Sequence, residues 1–460
     1  MKSYYILFIG ILFNVNVSAQ FGPQQVIANN ASGYPYIVAA DIDNDNDMDI
    51  LLAGQFDIAW FENTNGLGAY GAKQIISETV WEFANRVAVA DLDGDGDLDV
   101  LSSFDGEMNG ISKVVWNENL DGAGGFGPQI NIAVNVISVF TVLGVDIDND
   151  SDMDVLKIER NLGKISWHEN LDGLGNFGPS TTISTALDWP INGIVADIDN
   201  DGDSDIVSHS YDGDKIVWLE NYGNQGSFSS VKTISYDVDR PIAVYSADID
   251  SDGDLDVIST SLSDNKIAWY ENTNGQGSFG PQILISTEII YPRNLFVQDL
   301  DNDGDQDILS SSRNGSYSSI VWFENLDGTG NFSSPILISD EIDFATTIIA
   351  TDIDQDQDFD VLSASQFDQK IAWYKNLSPL STPDFKNSYS SMYPNPVKNI
   401  LHIKSIEEIQ SFKVFNQTGQ LVLSMLHETE INTENFQSGL YLIQVLFQDG
   451  KYESHKIIKE

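Results

Sequence analysis

The chain has no cysteine in 460 residues, and only 22 basic residues stand against 70 acidic ones. Without cysteine no disulfide can brace the fold, so some other cross-link is needed. A formal net charge of −48 excludes bulk attraction to nucleic acid or to an anionic membrane and favours cations instead. Histidines number five. No Ser/His/Asp order, HExxH pair or Gly-rich phosphate loop occurs, which leaves little for catalysis. Past residue 13 no apolar run approaches the ~18 residues of a membrane-spanning helix. Yet hydrophobic residues make up 42% of the chain, so its acidity does not mean disorder.

The N-terminus predicts a secretory signal over residues 1–19. Lys2 is followed by the apolar stretch YYILFIGILF at 4–13 and the small residues VSA at 17–19. The remaining sequence is dominated by internal repetition. A run of alternating aspartates returns seven times. The first holds Asp41, Asp43, Asp45, Asp47 and Asp49, and the second Asp91, Asp93, Asp95, Asp97 and Asp99. The third holds Asp146, Asp148, Asp150, Asp152 and Asp154, and the fourth Asp197, Asp199, Asp201, Asp203 and Asp205. The fifth holds Asp248, Asp250, Asp252, Asp254 and Asp256, and the sixth Asp299, Asp301, Asp303, Asp305 and Asp307. Asp352, Asp354, Asp356, Asp358 and Asp360 form the seventh.

Each run is followed by a W-x-E-N marker, which in the last repeat reads W-Y-K-N at 373–376. An F-G-P marker stands at 21–23, 126–128, 177–179 and 279–281 and is degraded elsewhere. In the unit 190–236, INGIVADI, DIVSHS (205–210), KIVWLEN (215–221) and SFSSVKTIS (227–235) read as four strands separated by turns. Four short strands per ~50 residues, seven times and with no helix-period segment between them, predict an all-β chain with a seven-bladed β-propeller. FGPQQVI at 21–27 is an orphan outer strand, while the seventh repeat lacks one, so the two should join and close the ring.

The pattern D-x-D-x-D-G-D-x-D offers carboxylates at positions 1, 3, 5 and 9 and a backbone carbonyl at 7, a hard-oxygen set suited to Ca²⁺. Two carboxylates about 4 Å apart repel by about 4 kcal/mol at an effective dielectric near 20, so a divalent ion is needed to hold such a run together. Position 6 is glycine in four loops and Asn46 in the first, while Ser151 and Gln357 tolerate a left-handed turn less well. Up to seven ions are expected, bound more weakly in blades three and seven. The repeated tryptophans of W-x-E-N read as packing between blades. The glutamate of that marker reads as structural.

In combination, the F-G-P, D-x-D-x-D-G-x-x-D and sevenfold features resemble the FG-GAP/VCBS repeats of integrin-α-type propellers over residues 21–376. The resemblance implies calcium in the loops joining the first and second strands. The other face varies between repeats, as a binding surface does. Tyr34, Trp81, Arg86, Trp189, Arg240, Tyr291, Arg293 and Phe344 gather there as candidates for contacting a glycan or extracellular protein.

After a Ser/Pro-rich linker at 377–391, the composition shifts. Y-P-N-P, V-x-N-x-x-G-Q, S-G-L-Y-x-I-x-V and a basic ending over 392–460 resemble the type A sorting domain of the type IX secretion system. That resemblance implies an immunoglobulin-like β-sandwich read by the type IX export machinery and a secreted or cell-surface protein. The predicted organisation is a signal at 1–19, a propeller at 20–376, a linker at 377–391 and a sorting domain at 392–460. The expected role is a calcium-binding adhesion or binding module. A polysaccharide lyase or hydrolase on the same scaffold, or a calcium-stiffened spacer, are the alternatives.

Overall fold

Short β-branched and aromatic segments separated by Gly/Asn turns can satisfy their backbone groups only by pairing with neighbours, and they do so locally in this chain. The computed structural model describes residues 20–78, 82–106, 111–223, 226–314, 317–377, 390–405, 409–416, 421–426, 428–447 and 452–459. The expected signal, and all but the edges of the expected linker, lie outside the described residues. The chain divides into two compact units, Met1–Ser381 and Thr382–Glu460.

The first unit contains seven four-stranded antiparallel sheets, each a blade. Blade one runs Tyr36–Ala40, Asp49–Ala53, Asp57–Phe61 and Gln74–Glu78. Blade four runs Gly193–Ala196, Asp205–Ser210, Lys215–Leu219 and Lys232–Ser235. Its outer strand starts five residues later than the sequence reading, because SFSS is spent on a turn in which Phe228 bridges back to Asn221. Blade seven is built from both ends of the propeller sequence. Ala345–Thr351, Asp360–Ser365 and Ile371–Tyr374 are completed by Gln25–Ala28 from the N-terminus. The seam is sewn by Gly22 N–H donating to the Lys375 carbonyl at 2.7 Å and Leu377 N–H to the Gln20 carbonyl at 2.6 Å. The ring therefore closes through the expected strand exchange and leaves that edge paired.

The three sequence markers meet where blades meet. Trp60, Trp116 and Trp167 are buried in clusters that also take in Phe126, Phe177 and Phe228 of the following blade. Trp322 meets Phe21 edge-on at 6.5 Å, so the aromatic of the N-terminal F-G-P takes the same role across the seam. A side chain on Gly124, Gly175 or Gly226 would overlap the tryptophan of the preceding blade, which is why glycine recurs in that turn. The asparagine of W-x-E-N staples neighbours. Asn119 Nδ2 donates to the Ile42 carbonyl of the previous blade, and Asn376 does the same to Leu300. Both asparagines are buried, so each bond is made where water cannot replace it.

The second unit packs a three-stranded sheet (Ser390–Tyr393, Ile400–Ser405, Glu430–Asn432) on a four-stranded one (Leu421–Leu426, Ile409–Asn416, Gly439–Phe447, Tyr452–Lys459). Leu401 and Ile431 from one sheet share a core with Phe412, Ile443 and Val445 from the other, forming a β-sandwich. No helix among the described residues is long and apolar enough to cross a membrane.

Candidate metal loops and the opposite face

Each aspartate run is the turn from the first to the second strand of a blade, and its hydrogen bonds explain its spacing. In blade four, Asp197 at position 1 accepts the N–H of Asp201 and of Gly202, both at 3.1 Å. Asp205 at position 9 is buried. Its Oδ2 accepts the Ile198 N–H at 3.1 Å and its Oδ1 the Asn221 N–H at 2.7 Å. The first carboxylate thus ties the turn, and the last ties the turn to W-x-E-N. All seven runs repeat this scheme, including blade three with Ser151 and blade seven with Gln357 at position 6. Those two residues adopt φ of 77° and 72°, close to the 70° of Asn46. Position 4 is also left-handed in every run, from Asn200 at 58° to Gly94 at 75°.

The scheme leaves charge unbalanced. In the second to fifth runs the carboxylates at positions 1, 3 and 9 lie within 4.8 Å of one another. In the first run, Asp41, Asp43 and Asp45 do so. The Oδ1 atoms of Asp43, Asp93, Asp148, Asp199, Asp250 and Asp354, all at position 3, are buried without a hydrogen-bond partner. Asp301 is the exception and accepts the Asp303 N–H. Burial, then the neighbouring carboxylates, pushes Asp199 up to about 6. Burial pushes Asp205 up to about 7 and Asp307 to about 8. A buried, unpaired carboxylate oxygen repeated around a ring is what a bound hard cation would satisfy, and the all-oxygen donor set suits calcium.

The position-7 aspartates do different work. Asn44, Asn149, Asn200 and Asn302 reach across to Asp97, Asp203, Asp254 and Asp358 of the next blade, so loop is chained to loop.

The W-x-E-N glutamate reaches the cluster as well. Glu62, Glu118, Glu169, Glu271 and Glu324 lie close enough to the position-3 aspartate of their own blade to raise its pKa. Glu220 likewise stands close enough to Asp199 to raise its pKa. In blade seven Lys375 takes that place. Its ammonium pairs with Asp354 and, at 3.1 Å, with Asp356, and these carboxylates hold it well above the ordinary lysine value. The sequence reading missed this role of the glutamate. The W-Y-K-N departure was the available signal.

On the opposite face the expected binding residues are partly gathered. Tyr34 is 63% exposed and meets Phe344 edge-on at 6.2 Å. Trp189 lies 4.7 Å from the Arg160 guanidinium, and Arg240 lies 5.7 Å from the Tyr211 ring. Arg293 lies over Phe344 at 4.7 Å, and Arg86 is set apart over Tyr36 at 4.4 Å. Tyr291 is exposed. Trp81 lies outside the described residues. Phe344 differs from its expected role. It is buried and stacked on Phe367, and it supports arginines rather than meeting a ligand itself. Trp189, Arg240, Tyr291 and Phe344 all sit eight residues before an aspartate run, with φ between 50° and 64°. Left-handed backbone at bulky residues costs about 1 kcal/mol or more each and is retained where the surroundings enforce it. Arg160, Tyr211 and Phe367 come from turns between the second and third strands, and Arg313 from the end of a second strand, none of which the sequence reading considered for the ligand face.

The architecture is that of a β-propeller protein with a second, β-sandwich unit. Comparison with known proteins makes this specific. FG-GAP-like repeats match residues 41–102, 146–208, 197–259, 248–310 and 299–363, more than half of the chain, which therefore belongs to the FG-GAP-like repeat family. Residues 391–460 match the secretion system C-terminal sorting domain, which marks the chain for type IX export to the cell surface or medium. The sequence matches none of the curated proteins. Among solved structures, a lectin of Agrocybe aegerita described as recognising non-reducing terminal N-acetylglucosamine is similar at 18% identity and TM-score 0.52. The match covers 75% of this chain and 86% of that one. BBS1N, solved in complex with ARL6DN, is similar at 11% identity and TM-score 0.53, over 80% of this chain and 99% of that one. These likenesses concern the fold.

Proposed function

We propose that this exported protein is a calcium-bound binding module. Cations occupy the aspartate loops on one face, and a glycan or extracellular protein is taken on the other. The observation that carries the reading is the buried, unpartnered position-3 carboxylate oxygen in six of seven loops. Ions there join each loop to its own W-x-E-N strand and, through the position-7 links, to the next blade, in a chain with no disulfide to do so. The orphaned oxygen of blade seven belongs to Asp354, which Lys375 already neutralises in part. Blade six, although its Asp301 Oδ1 accepts the Asp303 N–H, has Glu324 rather than a lysine beside Asp301. Six strong sites, in blades one to six, and one weak one are therefore expected. A propeller of comparable fold recognises a terminal sugar, which supports sugars as a ligand class for such a scaffold.

The test is metal analysis and thermal melting of the purified chain, then a glycan and matrix-protein binding screen with calcium and with chelator. Bound calcium, a lower melting point in chelator and calcium-dependent capture of a ligand are expected. A metal-free protein that melts alike in both conditions would overturn the calcium reading. Silence across the screen would overturn the binding role.

A further inference from the structure

The chain contains only five arginines, Arg86, Arg160, Arg240, Arg293 and Arg313. Arg160, Arg240, Arg293 and Arg313 lie in or beside the connections opposite the aspartate loops, and Arg86 lies over Tyr36 from the first strand of blade two. Ion pairs among the described residues are made by lysines and by His402, none by an arginine. In a chain of net charge −48, unpaired guanidinium groups need a reason.

Two of them converge. Arg293 arrives from the loop between blades five and six, and Arg313 from the far end of the second strand of blade six, Asp307–Asn314. Both guanidinium groups lie over the Phe344 ring, at 4.7 and 4.2 Å, and Arg313 also lies 5.4 Å from Phe367. Burial and then the like charge of Arg313 depress the Arg293 pKa. Neither guanidinium donates a hydrogen bond to another described residue. Their donors are thus held on an aromatic base with no acceptor among the described residues. Two rings beside the pair stay largely exposed, Tyr34 at 63% and Phe367 at 54%, and Tyr291, two residues before Arg293, is exposed at 51%.

We propose that Arg293 and Arg313 form the anion-binding centre of the ligand face, and that its ligand is an acidic polysaccharide. A carboxylate or sulfate group would accept the guanidinium N–H groups in the forked geometry that arginine offers planar oxyanions. The exposed rings supply flat apolar surface for the C–H faces of adjoining sugar rings, for which an acidic peptide has no matching group. The overall negative charge of the protein repels a polyanion at long range, so capture depends on this local pair and strengthens as salt screens the repulsion. The proposal deepens the binding-module reading above and rests on it.

The experiment uses the full calcium-loaded chain at fixed free calcium. Its affinity is measured by calorimetry for polygalacturonate, a sulfated galactan, neutral galactan and poly-glutamate. Binding to polygalacturonate or the sulfated galactan, with little to the neutral chain, is expected, and the stronger of the two identifies the oxyanion. Arg293→Gln and Arg313→Gln each weaken it by roughly ten- to a hundredfold, with metal content and melting point unchanged. Arg313→Lys recovers only part, since it restores charge without the fork. Equal binding of neutral galactan, preference for poly-glutamate, or an unaffected double variant would each overturn the proposal. Neutral-glycan or protein binding elsewhere on the face leaves the module reading standing while this one falls. Absence of all binding removes both.

Discussion

The aspartate loops of blades one to six and that of blade seven have the same backbone turn and the same hydrogen bonds from positions 1 and 9, yet they differ in how charge is met. In six blades the W-x-E-N strand brings a glutamate towards an already crowded position-3 aspartate. In the seventh it brings Lys375, whose ammonium lies between Asp354 and Asp356. If the proposed ions fill the other six, identical loops are held by an exchangeable cation or by a permanent one, and a single residue outside the loop decides which. The permanent cation stands beside the strand Ile371–Tyr374, onto which the N-terminal strand Gln25–Ala28 is sewn. Under the calcium reading, the one blade assembled from both ends of the propeller would be the one least dependent on metal.

The largest effect that could break this contrast is metal removal. A site saturated a hundredfold above its dissociation constant contributes about 2.7 kcal/mol, so emptying six should lower the melting temperature by at least about 10 °C. Elemental analysis should find six tightly held calcium ions per chain. Seven of equal affinity would erase the distinction. Next in size is Lys375→Glu, which gives blade seven the residue of its siblings. It should add a calcium ion in titration and melt below the parent in chelator. An unchanged count together with unchanged melting would show that the lysine does not hold the loop.

A third prediction concerns pH. Burial raises the position-9 carboxyls of the metal-free fold, Asp205 to about 7 and Asp307 to about 8, above an ordinary value of 3.8. A carboxyl raised on folding favours the folded state below its unfolded pKa, and that contribution is lost as pH rises through the folded pKa. The chelated protein should therefore melt higher at pH 5.5 than at pH 8. The calcium-loaded protein should do the reverse, because protons displace the ion. Parallel melts with and without chelator check both signs.

The smallest effect separates two homologous residues. Asp199→Asn should cost one calcium ion and leave the chelated protein as stable or slightly more so. Asp354→Asn strips Lys375 of a partner and should cost up to about 1 kcal/mol with or without calcium. Equal behaviour of the two in chelator would count against the internal ion pair.

Much of the fold was legible because each blade repeats its own instructions. The second strand of blade four begins and ends where the residue pattern placed it, Asp205–Ser210, since a buried run bounded by the aspartate loop and by YDGD has little freedom. Its outer strand was placed too early because Phe228 looks like a strand residue, while its role is to cover Trp167 of the preceding blade. The loops were recognisable from spacing. The part played by Glu220, or by Lys375, was not, because it arises from strands side by side rather than residues in series. The opposite face was half seen: the loops leading into each blade read as aromatic and basic, but Arg160 enters from a turn and Arg313 from the end of a strand that only folding brings beside them.

The sequence by itself determined the repeat, the number of blades, the turn chemistry of the aspartate loops and the address at the C-terminus. All of these depend on residues within a few positions of one another. The tertiary structure decided which carboxylates remain without a partner, which ammonium stands among them, and which two arginines share one phenylalanine. Those are meetings of side chains from different strands and different blades, and their energies exist only once the ring has closed and water has been excluded between its parts.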